Sequence, residues 1–306
     1  MTLTETRNLT MRERFVATVT GLLESDPRVA LVLADISADA FADVAKRHPD
    51  RVLNVGIREQ LMASTAGGLA LAGMRPIIHS YAPFAVSRAY EQLKLDIAHQ
   101  DVDAVVVSIG ASYDSAASGR THFAPEDVAL VDTLTGWQVH VPAHVDEVDD
   151  LIACAVWDGG RHYIRLTENA APRITLPTSG NPRAVVIAVG PTVANVTAAT
   201  RNLDVEILPV TTVRPFPADA VRRAVARAAT SDLVLVEPYY AGTSAHEVAA
   251  ALTDVRHRLL SLGVGRRDLR RYGSAAEHDA AHGLDVAALR SDITGFLGSS
   301  RRMRLA

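Results

Sequence analysis

Short runs rich in Val and Ile alternate along this chain with longer stretches in which apolar positions recur every three to four residues. The runs at 28–35, 51–55, 76–79, 104–109, 138–141 and 162–166 predict buried strands, because a strand covered on both faces needs no polar alternation. Helical spacing over 10–23, 38–47, 57–72, 84–100, 125–134 and 145–157 places a helix between successive strands. Strands joined by crossover helices pair in parallel, so the expected fold class is α/β.

The rhythm stops at "TENAAPRITLPTSGNPR" (167–183), where three prolines and a glycine leave no period. It resumes with strands at 184–190, 205–210 and 233–238 and helices near 192–202 and 217–229. Two units are therefore expected, 1–172 and a smaller one at 183–306, joined by that linker.

Composition narrows the classes. Lys plus Arg (31) nearly balance Asp plus Glu (35), which leaves no broad basic surface for nucleic acid. The cluster Arg266, Arg267, Arg270 and Arg271 reads as a solvated turn. Cys154 stands alone, so neither an intrachain disulfide nor a CxxC pair can form, in keeping with a reducing cytoplasm. Arg12, Glu13 and Arg14 interrupt the N-terminal region, and no apolar run reaches membrane-spanning length. The expectation is a soluble cytoplasmic protein without nucleic-acid or membrane partners.

The chemistry begins at "NVGIREQLMASTAGGLALAGMRP" (54–76), where Glu59 opens an almost chargeless helix of small residues. Taken alone, an acid there is explained by the positive end of the helix dipole. Its setting adds more. "GIREQ", then "AGGLALAGMRPIIHSYAPFAVSRAYEQ", then "GRTHFAPEDVAL" resemble, in order, the pyrimidine-binding domain of transketolases and 1-deoxyxylulose-5-phosphate synthases. Beyond the linker, "VTTVRPFP" and "VEPYYAGTSAHEVAAAL" resemble the transketolase C-terminal domain.

The resemblance implies thiamine diphosphate as cofactor and Glu59 as the carboxyl that meets its aminopyrimidine. Thiamine supplies the difficult carbanion chemistry, and the protein positions it and moves protons. Glu59, Tyr81, Phe84 and Arg88 are placed at the cofactor by this reading, with Tyr81 and Phe84 both open as the ring that stacks on the pyrimidine. His122 in "GRTH" is implied as the proton-shuttling imidazole, making Glu59 and His122 the catalytic pair. His79, at a strand end, is expected at the substrate, as are Ser118, Arg120 and Glu168.

Three positions depart from the family pattern. An acid used on substrate hydroxyls falls on Ser118, a histidine used on the sugar phosphate falls on Gly110, and a phosphate-binding arginine falls on Glu168. An acid in place of a bidentate guanidinium repels a dianion, with Arg165 and Arg120 as the nearby replacements. An altered substrate follows as the expectation. The family's "GDG" motif for Mg²⁺ and diphosphate does not occur. The chain is then expected to be the β subunit of a split, two-component transketolase-like enzyme, holding no metal itself. Its α partner would carry Mg²⁺ and the diphosphate in an α2β2 assembly. The alternatives are the β subunit of a 2-oxo-acid dehydrogenase-type decarboxylase and a non-catalytic partner subunit.

Overall fold

The structure, a computed structural model, describes residues 9–304. Its strands are β1 Val29–Leu33, β2 Val52–Asn54, β3 Arg75–Tyr81, β4 Ala104–Ile109, β5 Trp137–His140, β6 Arg161–Arg165, β7 Ala184–Val189, β8 Val205–Val210, β9 Thr212–Arg214, β10 Asp232–Tyr240 and β11 Arg258–Val264. They form one sheet in the order β2-β1-β3-β4-β6-β5-β9 and another in the order β11-β10-β7-β8. All pairings are parallel except that of β9 with β5.

The α/β class is as the hydrophobic pattern predicts. Every residue of β1, β4 and β7 is buried, which is why these segments read as unbroken apolar runs. The differences are local. The 84–100 segment is not one α-helix: π-helical turns at Pro83–Arg88 and Leu93–His99 flank a single turn at Tyr90–Gln92. β9 and β11, and the helices Ala245–Ala251, Ala275–His282 and Val286–Arg304, are elements that the hydrophobic pattern does not predict.

β9 lies beyond the linker yet completes the first sheet, pairing Arg214 with Val139 and Thr212 with His140. Val139, Ile187, Val213 and Leu235 accordingly belong to one contiguous apolar cluster spanning both sheets. Among the described residues no helix is long and apolar enough to cross a membrane.

Strand order positions the site. The chain moves from β1 outward to β2 and then back across to β3, so connections diverge at the β1/β3 boundary. In a parallel sheet, the crevice at the carboxyl end of such a boundary collects ligand-binding residues.

Candidate active site

Glu59 is the first residue of the helix Glu59–Leu71, which follows β2 at the carboxyl edge of the sheet. Its side chain is 1% exposed, and its Oε2 accepts a hydrogen bond from Arg88 Nη1 at 2.8 Å. One face of the helix packs inward through Met62, Ala63, Ala66 and Gly67. Gly67 is required by close approach: a Cβ there would lie 2.2 Å from the Asp96 carbonyl oxygen. The opposite face leaves Leu61 and Leu71 exposed, with Ile57 just before the helix and Leu95 nearby also exposed.

The π-helical turn after β3 brings Phe84 and Arg88 together, with the guanidinium carbon 4.1 Å from the ring centroid. Phe84 meets the His122 ring edge-on at 5.2 Å, and Tyr81 closes the group at 6.2 Å from Phe84 and 5.6 Å from His122. Glu59, Arg88, Phe84, Tyr81 and His122 thus form one continuous run built from three chain segments.

Two glycines make the run possible. Gly119 (φ 75°) starts the turn that carries His122, and a Cβ on it would strike the Tyr272 ring at 2.6 Å. Gly110 (φ 76°) lies under Tyr81, where a Cβ would come within 2.4 Å of the ring. The absence of a side chain at 110 and the inward position of Tyr81 are therefore one packing solution. His122 is oriented by the Thr121 hydroxyl, 3.0 Å from its Nδ1.

His79 occupies a different place from the one expected. It is fully buried rather than open to a substrate: Nδ1–H donates to the Val107 carbonyl at 2.8 Å, and Nε2 accepts from the Ser37 hydroxyl at 2.9 Å. Phe15 packs on it at 4.3 Å. Burial lowers its pKa to about 4, so the ring is neutral. Among the described residues its hydrogen-bond link toward the crevice is Ser37, which also receives the Arg12 Nε–H at 3.0 Å.

Ser37 and Arg12 are not among the residues that the sequence singles out. With Asp35, Asp39 and Tyr81 they line an open cavity of about 580 Å³ at the β1/β3 boundary. Ser37 has φ 65°. The available signal is "ADIS" directly after β1; Arg12, on an amphipathic helix, has the pattern of a surface residue.

Ser118 and Arg120 are exposed and flank Gly119 on the His122 turn. Glu168 sits after β6, its amide donating to Asp114 Oδ2 at 2.9 Å. Partial burial and then the Asp114 charge raise its pKa, with Arg12 acting in the opposite sense. Arg165 is not available as a replacement phosphate ligand. It is buried, with Nε donating to Asp127 Oδ2 and Nη2 to Ser112 Oγ, both at 2.7 Å. Among the described residues, Asp132, His246 and Glu247 have metal-ligand spacing, but Arg214 already pairs with both carboxylates.

Residues 7–173 match the family described as transketolase, pyrimidine binding domain. The chain belongs to the transketolase family. An uncharacterised 33.6 kDa protein of the fasciation locus of Rhodococcoides fascians is 49% identical over 93% of this chain and 94% of its own length. One of the subunits of the apulose-4-phosphate transketolase of Actinobacillus succinogenes is 31% identical, covering 70% of this chain and 73% of its own. A split-gene transketolase chain, solved as an inactive β4 tetramer, superposes with a TM-score of 0.79 at 22% identity, over 95% of this chain and 99% of that one. Within the transketolase family this chain is of the C-terminal-half, split-subunit type.

Proposed function

We propose that this chain is the pyrimidine-side subunit of a two-component, thiamine-diphosphate-dependent transferase that moves a two-carbon ketol unit. The observation that carries this reading is the buried Glu59 carboxyl, joined through Arg88 to the Phe84, Tyr81 and His122 rings. That donor set suits an aminopyrimidine: one carboxyl for a ring nitrogen and aromatic faces for the ring. When bound, thiamine diphosphate supplies the carbanion chemistry of ketol transfer.

Glu59 would hold the aminopyrimidine through its carboxyl and could exchange a proton there, with its burial keeping water from competing. Arg88 pairs with the carboxyl, and its guanidinium, 39% exposed, has room to withdraw should a ring take its place. Phe84 and Tyr81 would hold the ring, and His122 would give a proton to, or take one from, the oxygen of the reacting carbonyl. Arg12, Ser37, Asp35 and Asp39 offer a donor and several acceptors to a polyhydroxylated substrate in the neighbouring cavity.

The described residues around Glu59 provide one carboxyl and carbon faces, not the oxygen-rich octahedral set that Mg²⁺ requires. We assign the metal and diphosphate to an α subunit seated on exposed Ile57, Leu61, Leu71 and Leu95, in an α2β2 enzyme of the cytoplasm. The inactive β4 state of the split-gene relative supports this division of labour. Gly110 under Tyr81, Ser118 and Glu168 support a substrate other than the common sugar phosphates.

The test is reconstitution with a partner carrying "GDG", followed by ketol-transfer assays with ketose donors and aldehyde acceptors, phosphorylated and not. Turnover that requires both chains and is lost in Glu59→Gln is the expected result. Wild-type turnover by Glu59→Gln, or activity on pyruvate with a dye acceptor instead of ketol transfer, would overturn the reading.

A further inference from the structure

The four arginines that read in the sequence as a solvated turn are exposed as expected, and two of them, Arg266 and Arg267, also line a pocket. Behind the Gly119–His122 turn, a cavity of about 200 Å³ lies between the segment following β4 and the segment following β11, with the helix Ala275–His282 closing one side. Arg120, Arg266 and Arg267 line it. Asp268, 4.0 Å from Arg120 Nε, and Glu126, 3.8 Å from Arg120 Nη2, are the acids beside Arg120, while Glu277 and Asp279 act on His278 from its own helix. Arg266 lies over the Tyr240 ring at 5.0 Å, which fixes its plane and leaves its N–H donors free of any ion pair with a described residue.

His278 is 1% exposed, lines the pocket and has no hydrogen-bond partner for its Nε2. That nitrogen is itself sealed from the pocket, with the ring packed between Tyr113 and Phe123, so His278 contributes wall rather than a ligand atom. His282, on the same wall, accepts the Gly265 amide at Nδ1 (3.1 Å), which places its proton on Nε2. Burial and the nearby Arg267 lower its pKa to about 4, so it serves as a neutral donor. Tyr113 stacks on both imidazoles, at 5.1 and 5.7 Å, and makes the floor rigid.

We propose that this pocket binds a phosphate group, either the free ion or a phosphomonoester, through Arg120, Arg266, Arg267 and His282. Forked guanidiniums around a rigid imidazole floor suit a tetrahedral oxyanion. The volume falls below the roughly 300 Å³ at which pockets begin to enclose drug-sized ligands, which favours a phosphate with a short tail over a nucleotide. Arg120 precedes His122 by two residues on one turn, so an anion that draws in Arg120 also holds that turn.

Calorimetric titration of the full-length chain with inorganic phosphate and with ribose 5-phosphate tests this without turnover. Saturable binding is expected, falling by roughly tenfold or more in Arg266→Ala/Arg267→Ala. It should weaken also in His282→Phe, with the fold of each variant checked by circular dichroism. Tighter binding of ribose 5-phosphate than of phosphate identifies a monoester as the ligand; equal binding identifies the free ion. Glu59→Gln and Arg88→Ala should leave both affinities unchanged, which separates this pocket from the cofactor site. Absence of saturable binding by the folded wild-type chain, or undiminished binding by the double variant, would overturn the proposal.

Discussion

Glu59 and Glu237 are the same residue at nearly the same depth, 1% and 0% exposed, in opposite circumstances. Glu59 opens a helix and pairs with Arg88, a cation whose far side is in solvent. Glu237 lies inside β10, where Oε1 accepts the Ser244 amide at 2.9 Å and Oε2 has no partner. Burial drives the Glu237 pKa up to about 7. Depth therefore does not mark a reactive acid. A carboxyl whose partner can be exchanged for a ligand differs from one whose surroundings are closed.

Function should split the pair most sharply. In the assembled enzyme, Glu59→Gln is expected to lower kcat by about 10²–10⁴, the span of general acid–base contributions. Glu237→Gln should leave kcat unchanged; steady-state assays of both variants decide. The Arg165–Asp127 pair extends the comparison to an arrangement in which both partners are sealed. Asp127→Ala strands the guanidinium and also removes the acceptor of the Tyr163 hydroxyl. A loss of about 3–5 kcal/mol is expected in urea unfolding.

Solution pH tests Glu237 next. Glu237, raised from 4.5 to about 7, holds its proton longer folded than unfolded. Its stabilising contribution is complete below about pH 4.5 and is lost as pH rises through 7. At pH 8, Glu237→Gln should be more stable than wild type, by up to about 3 kcal/mol, with the difference vanishing in acid. His79 and His140 act in the other direction. Burial lowers both from 6.5 to about 4, so their contribution is present above 6.5 and fades as pH falls through 4. Chemical denaturation across pH 4–8 tests the signs. The smallest effect on stability belongs to Ile57→Ser/Leu61→Ser, expected within about 0.5 kcal/mol. The same change should weaken capture of the α partner in sedimentation or pull-down experiments.

Much of the first sheet is legible in the sequence because its strands are buried on both faces and read as continuous Val and Ile runs. β9 is not, since three residues before two prolines carry no period, and their pairing depends on an edge that only the folded first sheet provides. The candidate site divides likewise. Glu59, Phe84, Tyr81 and His122 converge because ordered motifs bring them to one edge. His79 lies deeper than a strand-end histidine suggests: Ser37 and Phe15, distant in sequence, enclose it. The arginines at 266 and 267 have the pattern of a turn because the residues they meet, Tyr240 and Ala281, lie on other elements.

The seventh strand of the first sheet comes from beyond the linker, so proteolytic nicking in the 174–183 stretch would not set two fragments adrift; they would stay clasped along the rim of β5. Intact, the polypeptide should melt in a single calorimetric peak rather than two. Truncation before Thr212 would uncover that rim as an adhesive edge and promote aggregation.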